Sequence, residues 1–147
     1  MVNQKEKQIQ LILKGFRQRT GIISSTLFDD DGLLMAIDQA AFIEDEEYHE
    51  SIGAICANIV SLAESGLLLI KNENNINQVL IQAGNQLDQD GFIIILQSIT
   101  SNIILAIIFQ VHLNLGVILF ELNQISEKLI RYFEDVELSN NLGDVKT

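Results

Sequence analysis

The sequence predicts an α+β domain in which a five-stranded antiparallel sheet carries helices on both faces. Three observations lead there. Apolar residues recur at helical spacing in three separated segments. Five short stretches that read as strands lie between them, and those joined by short turns must pair antiparallel. Two of those strands carry unbroken apolar runs, over 92–96 and 103–109, as expected for strands covered on both faces.

The elements follow in the order α-β-β-α-β-β-β-α. Residues 3–19 place Ile9, Ile12, Leu13 and Phe16 on one stripe, and Thr20-Gly21 ends that helix. Gly21–Asp29 and Leu33–Asp38 read as two arms of a hairpin. Asp30-Asp31-Gly32 is the turn between them, because glycine accepts a positive φ and aspartate tolerates one. An acidic loop over 39–45 leads to a long helix, roughly Asp45–Gly66. Asn72–Asn75 is a polar turn, Asn77–Ala83 a strand, and 84–91 a polar hairpin loop. Thr100-Ser101-Asn102 joins the two apolar strands. Asn114 suits the N-cap of the last helix, in which Ile118, Leu122, Ile125, Leu129, Phe133 and Val136 keep helical spacing. Periodicity then fails. A single domain over 1–136 with a flexible acidic tail over 137–147 is the expected organisation.

Composition bounds the function. An apolar fraction of 48% argues against disorder. The net charge of −11 is uneven: residues 1–20 carry five cations and one anion, the remainder four cations and nineteen anions. An acidic body disfavours nucleic acid, whose binding needs cations against phosphates. The single cysteine, Cys56, sits in an apolar periodic stretch and suits a reducing compartment. The N-terminal residues lack the uninterrupted apolar core of a secretory signal, so a cytoplasmic location is expected. Ile103–Phe120 has the length of a membrane span. Gln110, His112 and Asn114 interrupt its centre, and its halves read as a strand and a helix start, so no span is expected.

No catalytic constellation emerges. His49-Glu50 begins an HExxH pattern, but Gly53 stands where the second histidine belongs. His49 and Cys56 lie about 10 Å apart along one helix, too far for a nucleophile–base hydrogen bond. Asp29–Gly32 matches only part of a calcium-binding loop, and no phosphate-binding glycine motif occurs. The expectation is a protein without catalytic residues, metal or cofactor.

The middle helix is the most informative element. On a helical wheel, Ile52, Ile55, Cys56, Ile59, Val60, Leu62 and Ala63 form a broad arc expected to face the sheet. Opposite lies a row of small residues, Gly53, Ala57, Ser61 and Ser65, flanked by Ala54 and Asn58. Such a row permits close approach of another backbone. A symmetry-related copy of the same helix is the occupant expected, with a loop of the same chain as the alternative.

The motifs in their order resemble the roadblock/dynein light chain family. They are TGIISSTLFDDDGLLMA (Thr20–Ala36), IGAICANIVSLAESG (Ile52–Gly66), VLIQAG (Val79–Gly84), FIIILQSITSNIILAIIF (Phe92–Phe109) and NLGVILFELNQISEKL (Asn114–Leu129). The resemblance spans roughly residues 5–134. It implies one long helix on one face of the sheet and two on the other, and dimerisation through the middle helix and third strand. The interface residues would be Gly53, Ala54, Ala57, Ser61, Ser65, Asn77, Val79 and Ile81. The third strand would then be an edge strand whose backbone groups a partner copy covers. The resemblance also implies a regulator or scaffold of small Ras-like GTPases, working as a homodimer or with a paralogue. Glu47, Glu50, Ser51, Asn58 and Glu64, beside Ala54, Ser61 and Ser65, would meet the GTPase. Arg17, Arg19 and Arg131 lie on other helices, so no arginine finger is expected. A small-molecule sensor of profilin- or PAS-like architecture and a membrane adaptor using the basic first helix are the competing readings.

Overall fold

The computed structural model describes the backbone of residues 4–40, 46–71, 76–83 and 91–144, and the side chains of 6–40, 55–69, 76–82 and 91–136. Residues 41–45 of the acidic loop expected over 39–45, the polar turn Asn72–Asn75 and residues 84–90 of the hairpin loop expected over 84–91 lie outside those residues, as do the side chains of Glu47, Glu50, Ser51, Gly53 and Ala54. The elements are α1 (Gln4–Thr20), β1 (Ser24–Asp29), β2 (Leu34–Gln39), α2 (Glu46–Lys71), β3 (Gln78–Ala83), β4 (Phe92–Thr100), β5 (Ile103–Gln110) and α3 (Leu115–Asp144). Their order matches the one expected from the sequence.

Local chemistry sets the boundaries. The amide of Gly21, at φ 78°, donates to the carbonyl of Arg17 at 2.8 Å and closes α1 in the left-handed conformation that favours glycine. In the β1–β2 turn the Asp29 carboxylate accepts from the amides of Asp31 and Leu33 at 3.0 and 2.9 Å. Gly32 there adopts φ 85°. The Asn114 side-chain oxygen accepts from the Val117 amide at 3.2 Å, the N-cap bond expected for α3.

Two helices run further than their sequence signals indicate. α2 passes through Gly66 to Lys71, since Leu67–Ile70 favour helix and Gly66 does not take the left-handed turn that would stop it. The helical backbone of α3 continues to Asp144, across most of the segment expected as a tail.

The strands pair antiparallel in the order β2-β1-β5-β4-β3, which leaves β2 and β3 at the edges. Alternation along each strand sends residues to opposite faces. On one face Leu27, Ile95, Leu105, Ile107 and Phe109 pack with Leu13 and Phe16 of α1 and with Ile118, Leu122, Ile125 and Leu129 of α3. On the other, Phe28, Leu96, Ile104 and Ala106 pack with Cys56 of α2. The protein therefore has one helix on one face and two on the other. Two ion pairs tie α1 down: Arg17 Nε donates to Asp38 of β2 at 2.6 Å, and Arg19 Nε to Glu121 of α3 at 3.0 Å. Among the described residues no helix is long and apolar enough to cross a membrane. The stretch weighed as a span divides into β5 and the start of α3.

Candidate functional site

The face of α2 that meets the sheet is narrower than its apolar arc. Cys56 is buried, and Ala57, Ile59 and Val60 are half-buried against the cluster beneath it. Ile55 and Leu62, expected to face the sheet, are instead 53% and 73% exposed, and Leu69 one heptad further is 90% exposed. Cys56 and Val60, four apart, centre the helix on the sheet, and Ile55 and Leu62 lie roughly a quarter-turn or more from that centre. The apolar residues cover more of the circumference than the sheet can take, so the surplus remains outside.

The small-residue row is split by the same rotation. Ser61 and Ser65 are exposed, whereas Ala57 turns inward and packs on the sheet. Ala57, expected on the outward row, thus sits at the border between the sheet-facing and the open side of the helix. Ser65 is also occupied locally, its hydroxyl donating to the Ser61 carbonyl at 2.9 Å. Asn58 is exposed, and Glu64 is half-buried facing Asp30 and the β4–β5 turn across a cleft.

The outward face of α2 thus reads Ile55, Asn58, Leu62, Ser65 and Leu69. Large apolar residues recur every seventh position, and a small or polar one stands three residues after Ile55 and Leu62. That is a seam-like spacing for another helix. Sequence reasoning misses these three apolar residues as outward-facing; their heptad spacing is the signal that could have found them. Large exposed aliphatics in such a row are seldom left to water.

β3 lies at the sheet edge beyond β4, as expected. Val79 packs towards the α2-side cluster, Ile81 is half-buried and Leu80 is 47% exposed. Asn77, expected at an interface, has a task within the protomer. Its backbone and side-chain oxygens both accept from the Gln97 amide at 3.2 Å, while Gln78 donates to Gln97 at 2.9 Å. These bonds satisfy a buried glutamine and pin the start of β3 to β4.

Cys56 is a core residue. Burial pushes its thiol up to about 11, so it stays protonated and unreactive at neutral pH. His112 is exposed in the β5–α3 turn. The carboxylates of Asp29, Asp30 and Asp31 come within 4.8 Å of one another. Asp29 already serves two backbone amides there, as a turn requires.

The arrangement is the roadblock/LC7 fold. The protein is similar to MglB of Thermus thermophilus, with 16% identity over 92% of this chain and 95% of that one and a TM-score of 0.76. Myxococcus xanthus MglB gives 18% identity, coverage of 92% and 94%, and a TM-score of 0.75. A roadblock/LC7 domain from Streptomyces avermitilis gives 18%, coverage of 85% and 97%, and 0.71. No protein-family model and no curated protein matches the sequence.

Proposed function

We propose that the protein is a non-catalytic, dimeric regulator or scaffold that binds a small Ras-like GTPase through paired α2 helices. The observation that carries this reading is the exposed Ile55–Leu62–Leu69 row on α2, on the single-helix side of the sheet. Burying that row against its symmetry mate removes it from water, and the open edge of β3 offers backbone pairing to the same mate. MglB, to which the fold is similar, is also known in a tetrameric arrangement, which supports association in this architecture. Asn58 and Glu64, with Glu47, Glu50 and Ser51 on the same helix, supply polar and acidic groups for basic or hydroxyl-bearing switch segments.

The chemistry would be indirect. α2 contains no arginine, and Arg17 and Arg19 are bound in ion pairs on the other side of the sheet. Stimulation of hydrolysis would have to come from ordering the GTPase's own switch loops. We infer a protein acting without cofactor in the cytoplasm, as a homodimer or with a paralogous chain. The test is a pull-down against a panel of small Ras-like GTPases loaded with GDP or a non-hydrolysable GTP analogue. Binding preferring one nucleotide state, lost on Asn58→Arg with Glu64→Arg, is expected. Failure to bind any GTPase in either state would overturn the reading.

A further inference from the structure

A second exposed surface lies on the opposite side of the sheet, independent of the function proposed for α2. The buried residues of α1 are Ile9, Leu13 and Phe16, yet Leu11 points outward and is 68% exposed. It stands between two shallow, open grooves. One, of about 470 Å³, runs between α1 and α3 along Ile12, Lys128, Arg131 and Tyr132. The other, of about 280 Å³, lies towards β2 and is lined by Lys7, Lys14 and Asp38. Asp38 is neutralised by Arg17.

Lys7, Lys14, Lys128 and Arg131 are all exposed, and none is ion-paired with an acid among the described residues. Among the described residues Asp135 is the one other acid lining the grooves, and Glu6 lies near enough to add to burial in raising the Tyr132 phenol. In a chain of net charge −11, four of only nine cations therefore ring one exposed leucine. From Lys7 to Lys14 the surface extends about 10 Å along α1, the length of two helical turns.

We propose that this surface docks an acidic amphipathic helix of a partner protein. Apolar residues of that helix, spaced three or four apart, enter the two grooves on either side of Leu11. Its carboxylates meet the four cations at the rim. Charge complementarity selects the occupant. A bilayer surface fits less well: an interfacial helix needs a broad apolar face, and apart from Leu11 the apolar residues of α1 point into the core or line the groove floor.

The test is selection from a display library of random peptides of about sixteen residues, roughly four helical turns. Enrichment of aspartate and glutamate with leucine or phenylalanine at i, i+3 or i+4 is expected. A representative selected peptide should bind about tenfold more weakly to Leu11→Asp and to the Lys128→Glu/Arg131→Glu double variant. It should also weaken as salt rises from about 0.05 to 0.3 M. All three positions are on the surface, so unchanged thermal melting checks that the variants fold. No enrichment, enrichment of peptides without acidic residues, or unchanged affinity for both variants would overturn the proposal. So would capture of phosphatidylserine vesicles by the same residues without any acidic peptide being selected.

Discussion

The two faces of the sheet are finished to different degrees. On the α1/α3 face, Leu13, Phe16, Leu105, Ile107, Phe109, Leu122, Ile125 and Leu129 are wholly out of water, and two helices close over them. On the α2 face a single helix covers Phe28, Leu96, Ile104 and Ala106, and its own Ile55, Leu62 and Leu69 remain exposed. The first layer is a core complete within one protomer. The second is covered by one helix, whose exposed apolar residues fall in a single row; α1 and α3 also expose Leu11, Val117 and Phe120 on their outer sides. The contrast separates residues that hold the fold from residues that are free to serve binding.

Truncations on the two sides should therefore differ sharply. Phe16→Ala empties a site with no exposure and should cost about 3–5 kcal/mol, read as a large fall in the denaturation midpoint. Val60→Ala, at a half-buried position under α2, should cost about 1 kcal/mol or less, because one side of the residue is already open. Equal losses at the two positions would mean that the layers are equally closed.

Cys56 gives a pH test of the α2 layer. Its thiol is raised from 9.0 to about 11 by burial. In the unfolded chain it ionises near its ordinary value, so between the two the unfolded state binds fewer protons than the folded one. Stability from this group is complete below pH 9 and is lost as pH climbs towards 11. Chemical denaturation across that window should show a downward slope that Cys56→Ala flattens relative to the parent. The same slope in both proteins would mean that the thiol is not desolvated under α2.

The smallest effect is expected at Gly66. Among the described residues nothing lies within 4 Å of where a Cβ would sit, and the residue is helical. Gly66→Ala should raise protomer stability by about 0.5–1 kcal/mol, seen as a higher melting temperature. A loss of stability would show that this flank is already pressed against another chain, and would narrow down where the contact lies.

Much of the architecture was legible because the α1/α3 layer is unambiguous. Ile9, Leu13 and Phe16 on α1, and Ile118, Leu122, Ile125 and Leu129 on α3, form single stripes, and all are buried. The turn at Asp29–Gly32 and the cap at Asn114 follow from side-chain chemistry that acts within a few residues. The orientation of α2 was not legible. Apolar residues occupy more than half of its circumference, so the wheel alone does not decide which sector the sheet takes. It puts Ile55 and Leu62 inside, and the structure leaves both exposed, while Ala57, placed outside, is half-buried. Nor does the sequence show that Asn77 is engaged by Gln97, because residues 20 positions apart meet only once β3 and β4 are in register. The irregularities in pairing at Leu27/Phe28 and Ser98/Thr100 likewise have no local signature.

If the outward row of α2 is a contact between copies, association must depend on its middle residue. Sedimentation equilibrium of the parent chain beside Leu62→Glu decides the matter, since Leu62 is 73% exposed and its replacement leaves the protomer core alone. The parent should run at twice 16.4 kDa and the variant at folded protomer mass, with dimer affinity reduced about a hundredfold or more. A parent that sediments as a single protomer at high concentration, or a variant that dimerises as tightly as the parent, would contradict the assignment of this face.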